Sequence, residues 1–116
     1  MALGRMLGTR VLPECPISTA AGVRAADVAW CSPARYSDIR GQIAFETAPE
    51  ICVEVLSPDN TDAEMAQKRA LYFDAGAKEC WICDTQGRMS YYHAADPNTQ
   101  TTTSKLCPDF PEVIED

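Results

Sequence analysis

The 116-residue sequence predicts an α/β domain: a mixed β-sheet built around one buried strand, with a crossover helix as its main cover. Three stretches carry that prediction. Residues 51–56 (ICVEVL) form a near-continuous run of β-formers broken by one carboxylate, the pattern of a strand buried on both faces. Helix punctuation follows at both ends of residues 62–75. Thr61 as N-cap and Glu64 three residues later form a capping box, Asp62 favours the positive end, and Gly76 supplies the stop. Residues 79–84 (ECWICD) then read as another core strand. Strand, helix and strand in that order predict a right-handed parallel crossover.

The remaining elements fit around this unit as a single domain over residues 1–116. Residues 1–10 carry no clear pattern. Arg10-Val11-Leu12 and Cys15-Pro16-Ile17 suggest a strand interrupted by prolines, and therefore near a sheet edge. After a small-residue turn at 18–22, residues 24–31 (RAADVAWC) read as a strand. Val28 and Trp30 lie on one side of it, Asp27 and Ala29 on the other. Ser32 as N-cap and Pro33 at the first helical position predict a short helix over Pro33–Ile39. Residues 41–49 connect, with Phe45 as a core anchor. On the main helix, Met65, Ala66, Arg69, Ala70, Tyr72 and Phe73 are expected to form the buried face, with Lys68 at its border. Gln86-Gly87 predicts a hairpin turn into a strand over 88–93. Asp96-Pro97-Asn98 predicts another turn, residues 101–106 an edge strand, and residues 107–116 a tail docked by Phe110 and Ile114.

Composition narrows the functional classes. The net charge of −7 excludes broad electrostatic attraction to nucleic acid, so any activity on DNA needs a local basic patch, a divalent cation or a partner subunit. Arg24, Arg35, Arg40, Lys68, Arg69 and Lys78 are the basic residues of the chain's middle. No apolar run reaches the length of a membrane span, and the first twelve residues lack a signal-peptide core; a cytoplasmic protein with reduced thiols is expected. Cys80 and Cys83 have C-x-x-C spacing, but residues three apart on a strand point to opposite faces. A packing role is therefore expected of them rather than redox or zinc chemistry. His93, the lone histidine, is expected at the surface.

Asp27, Glu54 and Lys68 are the residues with chemistry left to explain. Two acids inside apolar core strands can bind a hard divalent cation, Mg²⁺ or Mn²⁺, with the Val55 carbonyl as a further ligand and waters filling the rest. A lysine on the following helix, four residues before Tyr72, can then orient or deprotonate a water and offset charge on a phosphate. The competing reading is a plain buried Glu54–Lys68 ion pair, with Asp27 capping a loop. Residue chemistry alone leaves both open.

The ordered set Ala26-Asp27-Val28, Glu54-Val55-Leu56-Ser57-Pro58, Lys68-x-x-x-Tyr72 and Gly76-Ala77-Lys78-Glu79-Cys80-Trp81-Ile82 resembles the Uma family (Uma-two) of restriction endonucleases. That family belongs to the PD-(D/E)xK nuclease superfamily. The resemblance runs from about Val11 to the end. It implies a restriction-endonuclease-like fold and a Mg²⁺-dependent DNA endonuclease, with Asp27 and Glu54 as the two acids. Leu56 stands where the superfamily has its lysine, which the resemblance moves to Lys68, and Tyr72 would line the site. Ala26 replaces the family's proline, and cysteines replace an aromatic and aliphatics. Family members also carry an N-terminal segment that this chain is expected to lack, which would uncover apolar sheet surface and favour a homodimer. The alternative is a catalytically incomplete relative that acts as a binding or dimerisation module.

Overall fold

A computed structural model of the chain describes residues 10–113. Six strands form one mixed sheet in sequence order: β1 (Arg10–Thr19), β2 (Gly22–Cys31), β3 (Ile51–Val55), β4 (Glu79–Cys83), β5 (Met89–His93) and β6 (Asp96–Thr101). Every neighbouring pair is antiparallel except β3 and β4, which run parallel because helix α2 (Asp62–Asp74) carries the chain back between them. Helix α1 (Pro33–Ile39) lies in the β2–β3 connection.

Local sequence explains the helices. Thr61 and Glu64 close the capping box on α2 in both directions, and Ser32 Oγ accepts the Arg35 N–H to start α1. Gly76, at φ +108°, turns the chain out of α2 in a conformation other residues resist. The buried stripe of α2 is narrower than the sequence suggests. Met65 and Tyr72 are buried and Phe73 half-buried, whereas Ala66 and Ala70 face solvent. A lone helix on a sheet presses only one narrow stripe against it.

The sheet sorts its side chains by strand alternation. Cys15, Ile17, Ala26, Ala29, Cys52 and Cys80 pack beneath Tyr72 and Phe73. On the opposite face Ile51, Val53, Trp81, Met89 and Tyr91 pack with Cys107 and Phe110 of the tail. The tail is tied down by a Phe110–Trp81 ring contact at 4.7 Å and by Tyr91, whose hydroxyl donates to the Pro111 carbonyl. Ile114, the other expected tail anchor, lies outside the described residues.

The last strand differs from expectation. The chain turns at Ala94-Ala95, and Asp96–Thr101 is the edge strand, Pro97 included. An edge tolerates that proline, because one side of the strand has no ladder partner for an N–H. Residues 102–106 become a loop because the Glu79 carboxylate captures the N–H groups of Lys105 and Leu106, at 3.0 and 2.8 Å.

Candidate functional site

Asp27 sits where strand β2 loses its partners on both sides. The β1–β2 ladder pairs Pro13 with Val28 and Cys15 with Ala26 but skips Glu14 and Asp27, because Glu14 adopts a left-handed backbone at φ +48°. Toward β3, the ladder ends at Val28 and Val53. Beyond it the two acids replace the missing backbone bonds. The Asp27 N–H donates to Glu54 Oε2 at 3.0 Å, and the Val55 N–H donates to Asp27 Oδ2 at 2.7 Å. Each carboxylate is thus oriented by the opposite strand's backbone at the point where the strands part.

Glu54 is 4% exposed, and α2 sets Lys68 above it. Lys68 Nζ donates to Glu54 Oε1 at 2.5 Å, with the lysine side chain 28% exposed and the glutamate's 5%. Burial raises the Glu54 pKa. The bond from Lys68, the Asp27 N–H and the lysine charge all pull it down, the Asp27 carboxylate pushes it up, and burial wins. Tyr72 lies buried one turn along from Lys68 on α2, and its hydroxyl makes no hydrogen bond. Burial, and then the nearby Glu54 charge, hold that phenol in its neutral form.

The structure therefore brings together all five residues singled out from the sequence: Asp27, Glu54, Val55, Lys68 and Tyr72. It also contains the Glu54–Lys68 ion pair of the competing reading. Asp27, however, does not cap a loop; it is exposed at the strand gap, with its carboxylate on the next strand's backbone.

The donor set fits a hard divalent cation. Both acids supply oxygens, Asp27 keeps one carboxylate oxygen outside its bond to Val55, and the Tyr72 hydroxyl is a buried polar group still in need of a partner. Among the described residues no group of three or more His, Cys, Asp or Glu side chains converges.

Cys80 and Cys83 fall into the clusters on opposite sheet faces, as their strand spacing predicts, and the described cysteines are free thiols. His93 corrects the expectation of a surface residue. It is 8% exposed, with Nε2 at 3.1 Å from Thr101 Oγ1 and Nδ1 3.6 Å from Glu79 Oε2. Glu79 also accepts from Trp81 Nε1 and Ser104 Oγ, so this buried acid is saturated and holds the loop after β6. The acid within the 79–84 run was its only trace in sequence.

Residues 2–114 match the family model Uma2, described as "Putative restriction endonuclease". The fold is similar to the crystal structure of "a putative nuclease belonging to DUF820" from Anabaena variabilis ATCC 29413. The TM-score is 0.69 at 14% identity, over 96% of this chain and 70% of that one. No curated protein matches the chain. Among the described residues, no helix is long and apolar enough to cross a membrane.

Proposed function

The chain belongs to the Uma2 family, described as "Putative restriction endonuclease", and on that premise we propose that it is a Mg²⁺- or Mn²⁺-dependent deoxyribonuclease of the PD-(D/E)xK type, with Asp27, Glu54 and Lys68 as its working residues. The observation that carries the reading is the reciprocal bonding at the strand gap. Two carboxylates are held by each other's backbone, with an ammonium group fixed on the buried one. A purely structural ion pair needs neither the strand gap nor the second acid.

Asp27, Glu54 and the Val55 carbonyl would hold the cation, which when bound polarises the phosphate and lowers the pKa of its water. The Val55 and Asp27 N–H groups each hold one oxygen of Asp27 and of Glu54, so both carboxylates are oriented at the gap. Lys68 supplies a positive charge on the helix side of the gap, where it orients the attacking water and offsets charge on the phosphate in the transition state. Water adds to phosphorus, the bond to the leaving sugar oxygen breaks, and that oxygen takes up a proton. Tyr72 closes the floor beside Glu54 and keeps it out of bulk solvent. With a net charge of −7, affinity for DNA rests on this local arrangement rather than on the overall field.

The test is nicking of supercoiled plasmid. Wild type should nick in Mg²⁺ or Mn²⁺ and be inert in EDTA, while Lys68→Ala and Glu54→Gln, folded by circular dichroism, should be inert in both. DNA retained but never cut by wild type would reassign the chain to the binding-module reading.

A further inference from the structure

Strands β1 and β2 change facing at the same place. Leu12 and Cys15 are three apart on β1, yet both pack on the α2 side of the sheet, while Val11 packs on the other. Ala26 and Ala29 on β2 do the same, with Val28 opposite. Strict alternation puts residues three apart on opposite faces, so each strand carries one residue out of phase. The ladder locates them. Between the pairs Pro13–Val28 and Cys15–Ala26 stand Glu14 and Asp27, unmatched.

Glu14 supplies the backbone for this shift. It is the only non-glycine among the described residues with a positive φ, at +48°, a region that a residue with a Cβ resists. The ring of Pro13 before it fixes φ at about −65°, so the pair follows the sign pattern of the two central residues of a type II turn, set inside a strand. Asp27 is what the shift releases. Its N–H goes to Glu54 Oε2 and its carboxylate takes the Val55 N–H, both on β3. An extended Glu14 would return Asp27 to ordinary register with β1. Its side chain would then stand perpendicular to the sheet instead of reaching along it to the next strand.

Resting on the metal-site reading, we infer that Glu14 is a positioning residue for the cation. Its left-handed backbone, not its carboxylate, turns Asp27 onto β3 and so pairs that acid with Glu54.

The test compares full-length variants by two readouts: Mg²⁺ affinity from the rise in melting temperature, and protection of the Val55 amide from hydrogen exchange in EDTA. Glu14→Thr, whose branched Cβ resists a positive φ, should bind Mg²⁺ about tenfold more weakly and lose the Val55 protection. Glu14→Gly should keep both and melt at or above wild type, because glycine accepts that φ freely. Glu14→Gln, uncharged but unbranched at Cβ, should also keep both. A Glu14→Thr protein that only melts lower, with Mg²⁺ affinity and Val55 protection intact, overturns the inference. So does a loss of Mg²⁺ binding in Glu14→Gln, which would make the carboxylate itself a ligand. Should threonine not fold, glycine decides: it weakens an extended position, so a lower melting temperature for Glu14→Gly removes the left-handed premise. If wild type ignores Mg²⁺, the metal reading falls, and the exchange comparison in EDTA still accepts or rejects the positioning role.

Discussion

Replacing Lys68 with alanine should destabilise the protein by an amount that grows with pH. The substitution removes the sole cation bonded to Glu54 among the described residues and leaves Oε1 without its donor, while Oε2 keeps the Asp27 N–H. Stranding a buried charge costs about 3–5 kcal/mol. Lys68 is 28% exposed, so water can reach the vacated oxygen, which places the loss at the low end, about 3 kcal/mol near pH 8. For a domain of this size that is a fall in melting temperature of roughly 10–15 °C. Glu54 already has a raised pKa, and removing the lysine removes two of the influences that lower it, so the variant's pKa rises further. An acid whose folded pKa is raised binds more protons folded than unfolded. Its stability is therefore fully present below the ordinary glutamate range and declines as pH rises through the folded pKa. The variant's window extends higher than that of wild type, so the difference between them should be larger at about pH 8 than at about pH 5. Urea unfolding at both pH values measures it. A difference that is the same at both, or below about 0.5 kcal/mol near pH 8, would refute the buried-pair energetics.

Cys83→Ala should leave metal content and redox behaviour unchanged and cost only packing, about 1 kcal/mol, because Cys80 and Cys83 lie in clusters on opposite sheet faces. Stoichiometric zinc lost on that substitution would overturn this. Val23 on β2 and Ile43 in the β2–β3 connection are exposed apolar side chains, and we expect two copies of the chain to pair. Sedimentation equilibrium at tens of micromolar should return a mass above 12.7 kDa; a monomer would remove the dimer.

What could be read from the sequence was local. The α2 capping box and the β3–α2–β4 unit each depend on residues a few positions apart, and each forms as expected. The first strand, expected to be interrupted by its prolines, instead runs unbroken over Arg10–Thr19 with Pro13 and Pro16 paired in the ladder. Glu54 and Lys68 were legible as a pair because a buried acid on a strand needs a cation on the element that covers it. The gap that frees Asp27 was not legible. It depends on the left-handed backbone of Glu14, thirteen positions away on another strand, and no local pattern marks that conformation. The misplaced last strand has a similar cause. Nothing near residues 102–106 announces that Glu79, 26 and 27 positions before Lys105 and Leu106, will take their N–H groups out of any ladder. His93 was misjudged for the same reason, since its burial comes from β6 and the loop that Glu79 holds.

A Mg²⁺ titration of thermal stability, comparing wild type with Glu54→Gln, tests whether the two acids hold a cation. Without metal, glutamine keeps an acceptor for the Asp27 N–H and relieves the burial of a charge. Lys68, 28% exposed, can turn its ammonium to solvent, so the lost ion pair is offset and the variant should melt near wild type. With Mg²⁺ at about ten times its dissociation constant, linkage should stabilise wild type by about 1.4 kcal/mol, roughly 5 °C, and leave Glu54→Gln unmoved. Because protons compete for the same carboxylate, the wild-type shift should grow as pH rises through the raised Glu54 pKa. A wild-type melting temperature indifferent to millimolar Mg²⁺ and Mn²⁺, or an equal shift in both proteins, would contradict a cation held by Asp27 and Glu54.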